Sequence, residues 1–185
     1  DLILGSGFQG GPVLAQFASK NADLVMEYID RPEVRRLLPR DYRYIRFAWG
    51  KPTADSEIIE LYALKSNRDK LAPLSGGVVV DAMQTYDMMG NPAVSMQMNS
   101  KGARTWENMT GKAFREASNI AIVLDDIVYS APGVSSGAIS GGRSEITGNF
   151  SLNEAIDLAN VLRAGKLPAA AEIIQSEIVG PSLGR

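Results

Sequence analysis

Three groups of side chains in this sequence are of types that could catalyse a reaction, and the first is a pair of acids. Asp125 and Asp126 are adjacent carboxylates. Neighbouring residues at a tight turn point apart and stay solvated, so the two are poorly placed to share a proton. Aspartate also tolerates the left-handed backbone of a hairpin turn. We therefore predict that the pair forms the turn of a β-hairpin.

The second group is a glycine-rich loop, and the third combines serines with lysines. The loop has glycine spacing like that of a phosphate cradle. No Gly-Lys-Ser/Thr follows it and no long helix opens from it, so we interpret it as a flexible connection. Ser130 and Ser144 are candidate nucleophiles, and Lys112 and Lys166 are their candidate bases, but nothing in the sequence fixes their geometry. The loop glycines are Gly133, Gly137, Gly141 and Gly142.

Two residue types are missing from the sequence, and their absence excludes most other chemistry. The 185 residues include no histidine and no cysteine. The commonest general base, thiolate metal sites and the Ser-His-Asp and Cys-His constellations are therefore excluded. The formal net charge of −2 gives no electrostatic case for nucleic-acid binding. We predict no catalytic residue, no cofactor and no metal.

Six arginines between residues 31 and 46 are interrupted by acids, which is typical of a solvated helix face.

The elements that would position these groups are strands and amphipathic helices of an α+β domain. From residue 93 to 99, Val94, Met96 and Met98 alternate with polar residues, which predicts a half-buried antiparallel strand with its methionines in the core. The first ten residues are glycine-rich and predict a flexible lead-in. We expect an antiparallel sheet with helices packed on one face and ferredoxin-like elements.

The last helix has the clearest signals. Ser151 and Glu154 form a capping box, and Leu158 and Leu162 lie on the stripe predicted to be buried. Gly165 is expected to end the helix.

No apolar run approaches the ~20 residues of a membrane-spanning helix. The chain begins at Asp1 without a methionine, so we expect it to be a fragment of a longer, membrane-anchored protein.

Four ordered motifs resemble the SecD family. They are the hairpin IAIVLDDIVYSAP at 120–132, ITGNF at 146–150, EA followed by LA and LRAGKLP within 154–168, and VGPSLG at 179–184. Upstream, Leu37-Leu38-Pro39, Trp49-Gly50 and Leu61-Tyr62-Ala63 resemble the start of this region in SecDF fusions, particularly Bacteroidetes-like ones.

The resemblance implies a domain organisation. Residues 1–167 would form a periplasmic head, and 168–185 a strand that returns to a base and then leads into a transmembrane helix. The motif before that helix is Gly180, Pro181, Ser182, Leu183 and Gly184. Helix-ending glycine and extended proline predict a hinge between head and base. The hinge residues are Gly165, Lys166, Leu167, Pro168 and Ala169.

The resemblance also implies a function. Such a domain lies on the periplasmic side of the cell inner membrane, binds the unfolded preprotein emerging from the Sec channel, and moves in a cycle driven by the proton-motive force. Its partners would be SecF and the SecY-containing channel, through the membrane-embedded parent. The residues that bind the preprotein are not identified by the motifs. Two alternatives stay open: a periplasmic ligand-binding or hydrolase domain of similar fold, and a structural spacer. A closed pocket with a perturbed buried acid or lysine would favour the hydrolase, and an open apolar groove or sheet edge would favour peptide capture.

Overall fold

The computed structural model describes residues 2–7, 11–52, 55–66, 68, 72–74, 77–164 and 169–172. These residues divide into two compact units. The first holds the described residues up to 68 together with 126–128, and the second holds those from 72 to 125 and from 129 to 172. None of the described helices is long and apolar enough to cross a bilayer.

The first unit is an antiparallel sheet with two short helices. Strand β1 pairs with β2, β2 with β4, and β4 with β3, while Ile127 and Val128 pair in parallel with β3. Its elements are β1 Ile3–Ser6, β2 Val13–Ala18, α1 Ala22–Ile29, α2 Pro32–Arg35, β3 Arg46–Gly50 and β4 Ile58–Leu64. Its core is Phe17, Val25, Ile29, Leu38, Ile45, Phe47, Ile59, Leu61 and Ala63.

Two expectations for this unit are corrected. Residues 3–6 form a strand rather than a flexible lead-in, because their backbone pairs with β2. The arginines between residues 31 and 46 do not share one helix face; they are spread over α2, a 3₁₀ turn and β3. Arg35 is half-buried, donates to the Ile45 carbonyl at 2.7 Å and lies 5.0 Å from the centre of the Phe47 ring. That arginine therefore contributes to packing as well as to charge.

The second unit carries the remaining elements. Strands β5, β6 and β9 form an antiparallel sheet in that order, and β10 pairs antiparallel with β7. The elements are β5 Val79–Tyr86, β6 Pro92–Met98, α3 Ser100–Arg115, β7 Ile120–Leu124, β9 Arg143–Ile146, α4 Leu152–Arg163 and β10 Ala169–Glu172. Strand β8 is Ile127–Ser130, and only its Tyr129 and Ser130 belong to this unit. The predicted α+β class with antiparallel sheets is confirmed.

The core of this unit forms where α3 and α4 meet the strands. Met96 and Met98 are buried in it, as their alternation with polar residues predicted. In α4, the side chain of Ser151 accepts from the Glu154 N–H and Glu154 accepts from the Ser151 N–H, which confirms the capping box. The buried stripe of α4 consists of Ala155, Leu158, Ala159 and Leu162.

Part of the predicted C-terminal organisation lies outside the described residues. This applies to the hinge residues Gly165, Lys166, Leu167 and Pro168, to the head–base boundary at 167/168, and to the motif residues Gly180, Pro181, Ser182, Leu183 and Gly184. Ala169, the last predicted hinge residue, is the first residue of β10.

Candidate functional site

The adjacent aspartates form a turn, as predicted. Asp125 and Asp126 connect β7 to β8 with φ angles of 48° and 64°, in the left-handed region that such turns require. Both side chains are exposed, and the guanidinium of Arg46 donates a hydrogen bond to the Asp126 carboxylate. The pair acts as a hairpin turn with one surface ion pair.

Both candidate nucleophiles, Ser130 and Ser144, are buried in the fold. The buried Ser130 hydroxyl donates its proton to the Thr147 carbonyl at 2.5 Å, so that proton already has an acceptor other than a general base. Ser144 is buried on β9, and Lys112 lies on α3, while Lys166 falls outside the described residues. Among the described residues there is no group of three or more acidic, histidine or cysteine side chains that could hold a metal ion.

The glycine-rich loop is attached to its surroundings, which corrects the expectation of a flexible connection. Its Ile139 N–H donates to the Thr110 hydroxyl at 2.8 Å, and its Gly142 carbonyl accepts from the Met98 N–H at 2.8 Å. A Cβ added to Gly111 on α3 would lie 3.2 Å from the Cβ of Ala138, so the loop also packs closely against that helix. Several of the loop's backbone groups are therefore occupied within the domain rather than arranged around an anion.

A small apolar void lies in the core of the second unit. Its enclosed space is about 10 Å³, at the lower limit for one water molecule and far below the ~300 Å³ of a typical ligand pocket. The buried indole N–H of Trp106, which lines the void, has no hydrogen-bond partner in the structure. The void can accept a water molecule at most, so it does not support the ligand-binding alternative.

The most prominent surface feature is a hairpin with methionines at its tip. Among the described residues, Met88 and Met89 are the two most exposed large apolar side chains; Met88 is fully exposed and Met89 is 87% exposed. On β5, immediately before them, Met83 and Tyr86 are about half exposed. We call the segment from residue 79 to 98, which comprises β5, β6 and their turn, the methionine hairpin. Exposed apolar groups of this kind mark interaction sites, and methionine adapts its shape to varied partners.

The turn of the methionine hairpin is held by a dense set of hydrogen bonds. The Asp87 carboxylate accepts from the backbone N–H of Met89 at 2.9 Å, from that of Asn91 at 2.8 Å and from the Asn91 side chain at 3.1 Å. These bonds, above all the one from the Asn91 backbone, lower the pKa of Asp87 although the residue stays partly exposed to solvent. Gly90 supplies the left-handed residue, with φ of 84°. The methionines are therefore presented by an ordered turn.

The outer edge of β5 is protected at one end. β5 is an edge strand of the β5-β6-β9 sheet. The Arg163 guanidinium, at the end of α4, donates to the Ala82 carbonyl from Nε at 3.1 Å and Nη2 at 2.6 Å. Asp81 lies 3.8 Å from Arg163, and an irregularity in the ladder falls between Val79 and Asp81. Charges and bulges of this kind are the usual devices that keep an edge strand from pairing with another chain.

The motifs of the sequence did not identify this site. Gly90-Asn91-Pro92 is a turn signal in the sequence, but the motifs assign no role to Met88 and Met89 immediately before it. Two adjacent methionines next to a turn signal, where polar residues are usual, are the clue that could have revealed it. Arg163 belongs to the LRAGKLP motif, yet its contact with β5 depends on packing that no local pattern encodes.

The fold and the site define an α+β domain that carries an exposed apolar hairpin. The model of the family described as SecDF, P1 head subdomain, matches residues 60–169. The chain belongs to the SecDF family, and its P1 head subdomain lies in this region. The resemblance of its motifs to SecD is thereby confirmed, as is the prediction that the chain is not an enzyme, since SecD proteins are subunits of the protein translocase.

Two curated relatives agree with the family assignment. The protein translocase subunit SecD of Rhodothermus marinus is 42% identical over 174 residues, which are 94% of this chain and 27% of that protein. The same subunit of Magnetococcus marinus is 44% identical over 144 residues, covering 73% of this chain and 27% of that protein. A crystal structure of SecDF in a super-membrane-facing form is 26% identical, with a TM-score of 0.47, and the match covers 92% of this chain and 19% of that chain. The chain spans about a quarter of the length of these curated relatives.

Proposed function

We propose that this chain is the periplasmic domain through which a SecD-type subunit assists preprotein translocation, by binding the unfolded polypeptide as it emerges from the Sec channel. Its parent would act at the periplasmic side of the inner membrane, with SecF and the SecY-containing channel as partners. The chain carries the binding step, and the proton-motive force would drive movement through the membrane-embedded parts of the parent.

One observation carries the binding step of this proposal: the methionine hairpin presents Met88 and Met89 to solvent on an ordered turn. An exposed apolar side chain costs solubility, and a rigid turn gives it no means of folding back onto the core. Unbranched, polarisable methionine side chains adapt to many apolar sequences. A subunit that assists many different exported proteins needs a surface of this tolerance.

The binding step is tested in the full-length parent protein by the double substitution Met88→Ser and Met89→Ser. We expect slower export of a reporter preprotein and weaker crosslinking of the arrested chain to the domain. The matched control is Leu152→Ser with Ile156→Ser, which removes two exposed apolar side chains from α4 in the same unit. Export that is equal in the two variants and the wild type would favour the structural-spacer alternative.

Movement of the domain is the second part of the proposal. We propose that the chain bends within residues 165–169, between the end of α4 at Arg163 and β10, whose first residue Ala169 pairs with Val123. Glycine and proline in that segment favour an extended exit from the helix, and hinges are commonly a few residues at the end of an element. The test is a reversible disulfide that joins this segment to α4 in the full-length parent. Export should stop under oxidation and resume on reduction; export that is indifferent to the crosslink would contradict the hinge.

A further inference from the structure

The backbone of β5 alternates between groups that face β6 and groups that face away from it. At the end of the methionine hairpin, the Asp87 N–H donates to the Asn91 carbonyl at 2.9 Å, so Asp87 faces its partner. In an antiparallel ladder every second residue then faces outward. The outward residues are Tyr86, Gln84 and Ala82. Two observations agree with this assignment: the Ala82 carbonyl is bonded by Arg163 from outside the ladder, and Pro92, opposite Tyr86, has no N–H to contribute.

The two halves of this outer edge differ. The half before residue 83 has the ladder irregularity, the Asp81 carboxylate and the Arg163 guanidinium, which occupies the Ala82 carbonyl. The half from 83 to 86 has no charged side chain, no proline and no irregularity. No described strand pairs with it. The outward N–H and C=O groups of Gln84 and Tyr86 therefore form an open row beside the half-exposed side chains of Met83 and Tyr86.

We propose that an extended segment of the exported polypeptide adds to the 83–86 half of β5 as a fourth strand of the β5-β6-β9 sheet. This rests on the proposed function and specifies how its substrate is held. Backbone groups of Gln84 and Tyr86 bind the backbone of the segment, and Met83, Tyr86, Met88 and Met89 cover its apolar side chains.

Three properties of the edge select this occupant. A row of unpaired N–H and C=O groups fits an extended backbone and does not fit a helix, whose own backbone groups are already paired. Backbone pairing is independent of side-chain identity, which suits a partner of varied sequence. The Asp87 carboxylate lies at the turn end of the open half, while Asp81 at the other end is paired with Arg163, so a segment with a basic residue near the turn is complementary in charge.

The edge itself can be blocked by one substitution. Gln84→Pro removes an outward N–H and places a ring on the outer edge, while the ladder bonds to β6 use other residues. The control is Gln84→Ala, which removes the side chain and keeps the N–H. The probe is an acetylated, amidated peptide with the sequence Lys-Val-Thr-Val-Thr-Val-Lys, added to the ¹⁵N-labelled chain of 185 residues. We expect Gln84→Pro to weaken its binding about tenfold, as loss of one hydrogen bond together with the obstructing ring predicts, and Gln84→Ala to leave it within about twofold.

A second measurement decides the question if Gln84→Pro does not fold. Three further peptides are N-methylated at every second residue, so that they lose the N–H donors along one edge of the extended peptide, along its other edge, or along both. They keep all of their side chains. Strand addition predicts that methylation of both edges abolishes binding, that at least one singly methylated peptide still binds, and that amide shifts centre on Gln84 and Tyr86. If the doubly methylated peptide binds as well as the parent peptide, strand addition is wrong while polypeptide binding stands.

Two further outcomes separate the proposals. If no peptide binds and the Met88→Ser, Met89→Ser parent exports normally, the proposed function fails, and strand addition fails with it. If amide shifts at Gln84 and Tyr86 depend on protein concentration without peptide, a second copy of the chain occupies the edge, and the proposal of a substrate strand is overturned.

Discussion

Thr110 holds the glycine-rich loop against α3, and its replacement tests that attachment. Its side chain is fully buried. The hydroxyl donates to the Trp106 carbonyl at 2.8 Å and accepts from the Ile139 N–H at 2.8 Å. Thr110→Val keeps nearly the same volume but leaves the Ile139 N–H without its acceptor. We expect the loop to lose its attachment at this point while α3 itself remains folded.

The expected magnitudes follow from what each substitution removes. A buried donor left without its partner costs about 1–3 kcal/mol, and since Ile139 is only half-buried we expect Thr110→Val to cost about 1–2 kcal/mol. Thr110→Ser keeps the hydroxyl and loses one methyl group, which costs about 1 kcal/mol. Thr110→Ala loses both and should cost about 2–3 kcal/mol.

The assay is urea denaturation of each variant, combined with hydrogen exchange at the Ile139 amide. The control is Thr105→Val on the same helix, where the exposed hydroxyl donates only to the Lys101 carbonyl; its stability should stay within about 0.5 kcal/mol of the wild type. Faster exchange at Ile139 should accompany Thr110→Val. A Thr110→Val variant as stable as Thr105→Val, with unchanged exchange at Ile139, would refute the reasoning.

Three further outcomes are expected from the second unit. Leu162→Ala, which empties a fully buried site on α4, should lower the free energy of unfolding by about 2–5 kcal/mol in denaturant titration, and a loss below about 1 kcal/mol would contradict the packing. Because the folded-state pKa of Asp87 is lowered, its ionised form stabilises the turn fully above the unfolded pKa of about 3.9, and this stabilisation is lost as pH falls through the folded pKa. NMR should show the Asp87 carboxyl titrating at lower pH than the same group in a model peptide. A higher pKa in the folded chain would contradict the hydrogen bonds from Asn91. Arg163→Ala frees the Ala82 carbonyl, so self-association measured by sedimentation should increase, and Arg163→Lys should increase it less. Equal monomer content in the wild type and both variants would argue against protection of the edge by Arg163.

The elements that could be predicted from sequence are those encoded by local signals. The capping box of Ser151 and Glu154 placed the start of α4, and the turn at Asp125 and Asp126 placed the hairpin between β7 and β8. The alternation around Met96 placed that side chain in the core. Each of these signals acts within a few residues, so neighbouring sequence is sufficient to read it.

The features that could not be predicted depend on contacts between distant residues. The strand at 3–6 forms because β2 is there to pair with it, and its own glycines predicted a loop. The attachment of the glycine-rich loop requires Thr110, on another element, to be buried beneath it. The exposure of Met88 and Met89 contradicts the usual burial of methionine, and only the turn geometry set by Asp87 explains it.

The pairing of β3 with β8 sets an order for folding. Trp49 and Gly50 pair with Ile127 and Val128, and the Lys51 N–H donates to the Val128 carbonyl at 2.9 Å. The first unit therefore contains residues that are synthesised only after residues 72–125 of the second unit. Bringing such distant segments together has a larger entropic cost of loop closure than forming a local hairpin has. During synthesis β3 stays without this neighbour until residue 128 has emerged. The first unit, whose strands β1 to β4 precede the second unit in the sequence, therefore completes its sheet late.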